Sequence, residues 1–429
     1  MARPLSVRVK RLVVRVLRSA LVRYVRRPPR SSDSARADRR VVIVLWTAFG
    51  MGGTIRAAIN LAQYLAERDY DVEIVSGVRE RDRAFFGEFP PGVRVSALHD
   101  RRPGAAPRGA RGLVQRALLR ISSALMHKSD RSFRAWSLWT DIQLARKLRG
   151  GSGFLIGTRP GVNLMLARLR APGFVTIGLE QVNISQRSRT IRRSMRRLYR
   201  HLDALVVLTD SDVEGYDRLL NGSVPLFRIP NTVRPLPGAK ADLGAKTVYA
   251  AGRLRNQKGF DLLIPAWAQV VPKHPDWQLR LRGEGHHRGL IEGLIEEHGV
   301  AGSVSLEGSA ENIGEDMAAA SIFVLSSRFE GFPLILLEAM SKGMSVVSFD
   351  CPTGPSDIID DHRNGILVPA EDVDALARGI EEMIADEELR RRSAAAAVET
   401  AQEYTMEAIG PRWIALFDDL SRPPRTAPA

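Results

Sequence analysis

Several residue types and patterns are scarce in this 429-residue sequence. It contains one cysteine, Cys351, so no disulfide can form within the chain and nothing indicates an oxidising compartment. No stretch approaches the roughly 18 uncharged apolar residues that a membrane-spanning helix requires. The eight histidines are scattered and no thiolate pair accompanies them, which argues against a structural zinc site. The length is sufficient for two domains, each with its own core.

The positive charge is concentrated at one end of the chain. Residues 1–40 hold 13 Lys and Arg against 2 acidic residues, whereas the rest holds 50 against 46. This segment therefore accounts for +11 of the net charge of +15. Because the excess is confined to one segment, the net charge gives only weak support for nucleic-acid binding. Because arginines interrupt its apolar runs, we do not expect a secretory signal. A helix over residues 5–27 would have a basic side suited to an anionic membrane surface; a disordered basic tail is the alternative.

From Arg40 onward, short β-branched runs alternate with amphipathic helical stretches, and the predicted strands include Asp71–Ser76, Thr247–Ala251 and Ile322–Leu325. This alternation predicts parallel strands and the α/β class. A cluster of Pro and Gly between 230 and 238 interrupts the rhythm, which restarts at Thr247. We therefore predict two tandem doubly wound, Rossmann-like domains that face a cleft with the carboxyl ends of their strands.

The same pattern divides the chain into four parts. Residues 1–40 form a basic N-terminal segment and linker, and residues 41–235 form the first domain. Residues 240–405 form the second domain. We expect a helix within 406–429 to pack back on the first domain and to be followed by a tail.

The most informative segment runs from Glu330 to Met340 and follows a predicted strand. Pro333 suits the first turn of a helix, which places Gly331 and Phe332 at the helix N-terminal edge, where backbone N–H groups favour a diphosphate. Glu330 and Glu338 are spaced to accept hydrogen bonds from hydroxyls at two ends of one extended ligand. The alternative is structural, with Glu338 paired to the lysine four residues on and Glu330 an exposed loop acid.

This segment resembles the signature of retaining glycosyltransferases of the GT-B type, the family 4 or group 1 glycosyl transferases, with its E-x7-E pattern. The similarity extends from Val41 to about Leu420. It implies the GT-B fold and a nucleotide-sugar donor, with no cofactor. Glu330 would then contact hydroxyls of the donor sugar, and Glu338 would contact the ribose. The resemblance also implies that the phosphates and sugar are held at Gly331, Phe332, Pro333 and Leu334.

A second loop follows the first predicted strand of the second domain and carries Arg253 and Lys258. Two cations at the mouth of a strand can clamp a diphosphate and stabilise negative charge as it leaves. A solvated basic loop is the alternative. Because the resembled family carries an arginine and a lysine here, we expect both residues to act with Glu330 in catalysis.

Two loops of the first domain complete the candidate site. The glycine-rich loop at Gly52 and Gly53 fails as a dinucleotide fingerprint, since Ile55 stands where a third glycine is required. The resemblance implies that these glycines let the domain approach the diphosphate and acceptor; a tight turn is the alternative. Glu180 and Gln181 follow a later strand on the acceptor and donor-sugar side. Relatives often carry a histidine there, and a glutamine cannot serve as an acid or base.

Three polar patterns have structural explanations that we prefer. Asp210-Ser211-Asp212 resembles a metal motif, but Asp and Ser commonly cap a helix. The pair His286-His287 has no third ligand in view, so we expect no metal. Six arginines between Arg189 and Arg200 share one helical face, which is ordinarily solvated; attraction to a phospholipid or lipid-pyrophosphate is the second interpretation.

The combined prediction is a retaining, metal-independent hexosyltransferase. It would move a hexose or N-acetylhexosamine from a UDP-sugar to a cell-envelope polysaccharide or lipid-linked acceptor. We expect a cytoplasmic location with peripheral attachment to the inner membrane face, and no nucleic-acid partner. Two alternatives stay open: a nucleotide-sugar epimerase or hydrolase of the same fold, and a non-catalytic, membrane-associated nucleotide-sugar-binding protein.

Overall fold

A computed structural model describes residues 7–27, 39–105, 109–234, 236–309 and 312–422, with side chains from residue 12 onward. Outside these ranges lie Leu5, most of the predicted linker (residues 28–38), Pro235 at the predicted domain boundary, and the tail at residues 423–429.

The first sheet contains seven described strands, all parallel to their neighbours. They are β1 (Arg40–Leu45), β2 (Asp71–Arg79), β3 (Val93–Asp100), β4 (Gly153–Gly157), β5 (Phe174–Leu179), β6 (Ala204–Val207) and β7 (Leu226–Arg228). Their order is β3-β2-β1-β4-β5-β6-β7, so the direction of winding reverses between β1 and β4.

The second sheet contains six described strands with the same winding. They are β8 (Thr247–Ala251), β9 (Gln278–Arg282), β10 (Val304–Glu307), β11 (Ile322–Leu325), β12 (Ser345–Asp350) and β13 (Ile366–Pro369). Their order is β10-β9-β8-β11-β12-β13, again all parallel, with the reversal between β8 and β11.

Helices connect the strands and cover the faces of both sheets, as parallel pairing requires. Those before β8 are α1 (Val7–Arg26), α2 (Gly53–Ala66), α3 (Gly109–Leu119), α4 (Leu138–Leu148), α5 (Pro160–Leu169), α6 (Arg189–Leu198) and α7 (Asp210–Leu220). Those after it are α8 (Phe260–Val270), α9 (Arg288–Glu297), α10 (Ile313–Ala318), α11 (Leu334–Ser341), α12 (Pro355–Ile358), α13 (Val373–Ala385), α14 (Glu387–Glu403) and α15 (Met406–Ser421).

Local sequence explains these elements. The segment Arg40–Leu45 reads RVVIVL and is buried from its second residue on, as expected for a strand covered on both faces. Helix α2 buries Ala58, Ala62 and Leu65, which recur at helical spacing. The two all-parallel sheets confirm the predicted doubly wound α/β class.

The described residues fall into two compact units. The first takes in residues up to Val207, Val213–Ile229 and the chain from Gly410 onward; the second takes in Leu208–Asp212 and Pro230–Ile409. Within the first unit, Phe417 of α15 stacks on Phe154 of β4, with ring centroids 4.2 Å apart.

Helix α1 also belongs to the first unit, where it packs on α4 and α5. Leu21 and Val25 are buried in the core beside the sheet. None of the described helices is both long and apolar enough to span a bilayer.

Candidate functional site

The second sheet brings two of the predicted loops together. Strands β8 and β11 are neighbours, paired at Val248 and Ile322, and they flank the point where the winding reverses. In open parallel sheets, ligands bind beyond the carboxyl ends of the strands at such a point. The loop after β8 carries Arg253 and Lys258, and the loop after β11 carries Glu330.

Lys258 and Glu330 contact each other directly. The Lys258 ammonium donates to Glu330 Oε1 at 2.7 Å, and Ser327 Oγ donates to the same oxygen at 2.7 Å. The side chains of the pair are only 17% and 9% exposed, so water screens the interaction weakly. Thr353 Oγ1 also donates to the main-chain carbonyl of Glu330 at 2.6 Å. Among the described residues, both hydrogen bonds to the Glu330 carboxylate fall on Oε1, so Oε2 is the oxygen that suits a hydroxyl donor.

Further hydrogen bonds hold the two loops together. Lys258 closes a single 3₁₀ turn, and its carbonyl accepts from Ser326 Oγ at 2.9 Å. Gly259 follows with φ of 62°, and a Cβ there would overlap the carbonyl oxygen of Ser326. Only glycine satisfies both conditions without strain. Arg328 donates to both carboxylate oxygens of Asp261, at 2.8 and 2.7 Å, which fixes the second loop against α8.

Cys351 lies close to this pair and is buried. Burial, followed by the nearby Glu330 carboxylate, raises the pKa of the Cys351 thiol to about 12. The thiol is therefore protonated at neutral pH and is poorly suited to act as a nucleophile.

Helix α11 begins just after the second loop. It starts at Leu334 with Pro333 as the preceding cap, one residue later than a proline in the first turn would give. The Leu334 amide donates to the Phe332 carbonyl at 2.9 Å, so that N–H is engaged here. Glu338 lies in the second turn and is buried. Lys342, four residues on, directs its ammonium at the carbonyl of Pro237, at 3.1 Å.

The glycine-rich loop lies at the reversal point of the first sheet. Helix α2 begins at Gly53, and Gly52 is its cap with φ of 155° and no side chain to cap it. The amides of Ile55 and Arg56 both donate to the Gly52 carbonyl at 3.1 Å. The loop is tied to β2 because Ser76 Oγ accepts from the Ala48 amide at 2.9 Å.

A cavity of about 510 Å³ opens beside this loop, within the first unit. Its lining includes Phe49, Phe89, Arg79 and Arg83. The rings of Phe49 and Phe89 meet edge to face at 5.4 Å, and the Arg79 guanidinium lies 4.7 Å from the Phe49 ring centre. Aromatic faces with nearby cations are suited to sugar rings and to anionic groups.

Glu180 is buried at the end of β5 and accepts four hydrogen bonds. Its donors are Asn163 at 2.9 Å, Arg187 at 3.2 Å, Tyr216 at 3.1 Å and Tyr199 at 2.5 Å. Burial alone would lower the pKa of Arg187, but the neighbouring Glu180 carboxylate outweighs burial and raises that pKa. These contacts saturate the carboxylate, so Glu180 is placed to hold its loop rather than to reach a ligand.

Gln181 follows Glu180 and is 8% exposed. It lies in the loop between β5 and α6, whose conformation depends on the Glu180 contacts. Glu180 and Gln181 are adjacent in sequence but differ in role: Glu180 supports the loop through its hydrogen bonds, and Gln181 is part of that loop.

The other polar patterns lie elsewhere. The Asp212 amide donates to Thr209 Oγ1 at 3.1 Å, so a threonine that sequence analysis passed over caps α7. The rings of His286 and His287 lie edge to face, 4.6 Å apart, at the start of α9. Among the described residues there is no group of three or more His, Cys, Asp or Glu arranged to hold a metal.

The supporting residues were the ones that sequence analysis missed. Ser327, Arg328 and Thr353 position Glu330 and its loop. Ser327 and Arg328 lie between the strand and Glu330, and their residue types alone did not indicate a role. Tyr216 lies 36 positions from Glu180 and reaches it only in the folded chain, and Arg187 reaches it from the far end of the same loop.

Comparisons with known proteins agree with this architecture. Residues 238–400 match the family described as Glycosyl transferases group 1. The chain is 33% identical over 390 residues to an exopolysaccharide phosphotransferase of Streptomyces coelicolor, covering 89% of this chain but 41% of that protein. It is 25% identical over 385 residues to the amylovoran biosynthesis glycosyltransferase AmsD of Erwinia amylovora, covering 87% of this chain and 98% of that protein.

A solved structure extends the likeness to the fold. S. aureus TarM, in complex with fondaparinux, α-GlcNAc-glycerol and UDP, superposes with a TM-score of 0.70 at 17% identity, covering 89% of this chain and 100% of that one. The fold is GT-B, as the sequence predicted. The match to the group 1 glycosyl transferases covers residues 238–400, the part of the chain that carries Lys258 and Glu330.

Proposed function

We propose that this protein transfers a sugar from a nucleoside diphosphate donor, UDP-hexose or UDP-N-acetylhexosamine, to a cell-envelope polysaccharide or lipid-linked acceptor. The observation that carries the proposal is the 2.7 Å contact between Lys258 and Glu330 at the reversal point of the second sheet. It joins a cation suited to phosphate with a carboxylate suited to sugar hydroxyls, inside the segment that matches the family. UDP in the TarM complex supports uridine as the nucleoside of the donor.

The donor is held by groups of the second unit. Lys258 and Arg253 bind the diphosphate, together with backbone N–H groups between Gly331 and Leu334. Donor binding releases the Leu334 amide from the Phe332 carbonyl. Glu330 keeps its Oε1 bonds and accepts a sugar hydroxyl through Oε2. Glu338, buried in the second turn of α11, accepts the ribose hydroxyls.

The transfer proceeds with retention of configuration. The bond between the anomeric carbon and the phosphate oxygen breaks, and the acceptor oxygen forms its bond on the same face. The acceptor proton passes to the departing diphosphate oxygen. Lys258, Arg253 and the start of α11 stabilise the negative charge that develops there, the role that a metal ion plays in other transferases. Gln181 contributes a hydrogen bond and no proton transfer.

The first unit provides the acceptor side. Gly52 and Gly53 allow close backbone approach, and Glu180 holds the loop that carries Gln181. The reaction takes place at the inner face of the membrane, where residues 5–27 attach the protein to an anionic surface. Described residues of α1 support this attachment, since Leu12 and Val16 are 61% and 57% exposed.

Isothermal calorimetry with UDP, GDP and ADP tests the donor site. Wild type should bind UDP selectively, and Glu338→Ala should weaken UDP at least tenfold because hydrogen bonds to a charged group contribute about 1.5–3 kcal/mol. Glu403→Ala, an exposed glutamate of α14, is the matched control and should bind like wild type. Absence of binding to all three nucleotides would remove the transferase proposal.

Incubation of the donor sugar without acceptor distinguishes the alternatives. A new sugar isomer would indicate an epimerase, and acceptor-independent release of free sugar at the full rate would indicate a hydrolase. Binding without turnover on any acceptor would indicate a non-catalytic protein. We expect turnover that depends on an acceptor.

A further inference from the structure

Three helices of the first unit bring arginines together on one surface. They are Arg15, Arg18 and Arg26 of α1, Arg168 of α5 with Arg170 just after it, and Arg197 of α6 with Arg200 just after it. We call these seven residues the arginine band. Helix α5 contacts both α1 and α6, so the basic sides of α1 and α6 meet across it.

Three arginines of the band, Arg18, Arg168 and Arg197, lie close to one another. Arg18 donates to the carbonyl of Ala124 at 2.8 Å, and Arg168 donates to the next carbonyl, Leu125, at 2.5 Å. Adjacent carbonyls therefore hold two guanidinium groups side by side. Burial and, to a smaller extent, the positive charges of Arg18 and Arg197 lower the pKa of Arg168 to about 10. Such a decrease is expected when like charges crowd together.

A second junction lies two turns further along α1. Arg26 donates to the Leu169 carbonyl at 3.3 Å, and the neighbouring Arg170 contacts His201. Burial, then Arg26 and Arg200, lowers the pKa of Arg170. The two junctions show that the basic sides of α1 and α6 are continuous along α5.

The seven positive charges of the band are not balanced by carboxylates within the part of the chain that the structure describes. Among the described residues, no ion pair involves any of its seven arginines. Asp141, whose charge acts on Arg18 and Arg168, is buried and already accepts from Ser123 and from the amides of Ala124 and Leu125. A crowded cationic surface of this kind is stabilised by an external anion.

An apolar stripe on the same helix identifies the source of that anion. Leu12, Val13 and Val16 are exposed on α1, whereas Leu21 and Val25 on another side of it are buried. A polyanionic chain or a nucleotide would supply phosphates but would leave this stripe in water. An anionic lipid surface satisfies both features, since it offers phosphates and an acyl boundary.

We propose that the arginine band binds the phosphate headgroups of an anionic membrane surface, with the Leu12, Val13 and Val16 stripe inserted at the acyl boundary. The docking surface thus extends beyond residues 5–27 and includes α5 and α6. The inference rests on the proposed function for its purpose, which is to bring the first unit to a membrane-borne acceptor.

Co-sedimentation with vesicles tests this surface. Vesicles of 30% phosphatidylglycerol in phosphatidylcholine are compared with pure phosphatidylcholine, at low and high salt. Arg197→Gln/Arg200→Gln changes two exposed arginines and should weaken partition to the anionic vesicles about 30-fold. Leu12→Ser/Val16→Ser should weaken it roughly tenfold or more. Wild type should prefer the anionic vesicles and be released by salt.

The matched control is Arg378→Gln/Arg392→Gln, which removes the same charge from exposed positions of the second unit and should bind like wild type. Equal losses in the control and the band variant, or no loss in the band variant, would overturn the proposal. Binding of soluble polyphosphate through the same arginines, without binding to vesicles, would assign the band to a polyanionic chain instead and would also overturn it.

Calorimetry with UDP separates this inference from the proposed function. The band variant should bind UDP as wild type does, which shows that it is folded. If wild type bound anionic vesicles but no nucleotide, the proposed function would fail while the docking surface stood. If wild type bound UDP but no vesicle, the docking surface would fail while the proposed function stood.

Discussion

The Glu180 cluster allows a quantitative prediction about stability. Replacement of Glu180 by alanine leaves Arg187 without its carboxylate and removes an acceptor from the hydroxyls of Tyr199 and Tyr216; Tyr216 keeps the Val182 carbonyl at 3.4 Å. The Glu180 side chain is 0% exposed and that of Arg187 is 16% exposed, so water replaces these contacts poorly. The change therefore removes one partner of a buried ion pair.

The expected cost follows from that burial. Removing one partner of a buried pair costs about 3–5 kcal/mol, because the remaining charge stays desolvated. The two tyrosine hydroxyls lie in the same cluster, so their losses overlap with this value rather than add to it. Glu214→Gln is the control: its ion pair with Arg218 is 74% and 78% exposed, and such pairs contribute about 0–1 kcal/mol.

Urea denaturation combined with hydrogen exchange measures the difference. Exchange in peptides from β5 and α7 reports on the first unit, which matters because two units need not unfold together. Glu180→Ala should lower the free energy of unfolding there by about 3–5 kcal/mol relative to Glu214→Gln. Equal stability of the two variants would refute the view that Glu180 supports its loop.

Three further predictions concern single positions. Burial raises the pKa of Asp141 from 3.8 to about 6, so its contribution to stability is complete below pH 3.8 and is lost as pH rises through about 6, by up to about 3 kcal/mol. Asp141→Asn should flatten that loss in denaturation series from pH 4 to 7; an unchanged pH profile would contradict it. Gln181→His should give turnover a new pH dependence near about 6.5 if this position lies beside the transferred sugar, and a pH–rate profile as flat as wild type would exclude that position. Gly259→Ala should destabilise the second unit by at least about 1–3 kcal/mol because of its positive φ and the overlap with Ser326. In thermal unfolding, Gly289→Ala in α9, where a Cβ meets nothing within 4 Å, should be neutral or stabilising, and equal losses would contradict this reasoning.

The fold was largely predictable because periodicity is a local property. Strands such as Thr247–Ala251 and Ile322–Leu325 have the predicted bounds, since β-branched runs end where polar loop residues begin. Strand β2 continues to Arg79, beyond the predicted end at Ser76, because Gly77 extends the strand instead of ending it. Glycine is compatible with both outcomes, and the neighbouring strand β3 decides between them.

The candidate site was predictable only in part. Resemblance to a family identified Glu330 and Lys258, but nothing in their sequence separation indicates a 2.7 Å contact. That contact depends on the pairing of β8 with β11, a long-range feature. The burial of Glu180 was not expected either, because its donors Arg187 and Tyr216 reach it only in the folded chain.

Acceptor-dependent turnover of a UDP-sugar tests the central claim most directly. Wild type and Glu330→Gln are incubated with UDP-glucose or UDP-N-acetylglucosamine and a cell-envelope lipid extract, and UDP release is measured. The configuration at the anomeric carbon of the product is read by proton NMR. We predict acceptor-dependent UDP release with retained configuration, reduced about 100-fold in Glu330→Gln, which loses a charged hydrogen-bond acceptor. Unchanged turnover in Glu330→Gln, or no consumption of either donor by wild type, would contradict the account.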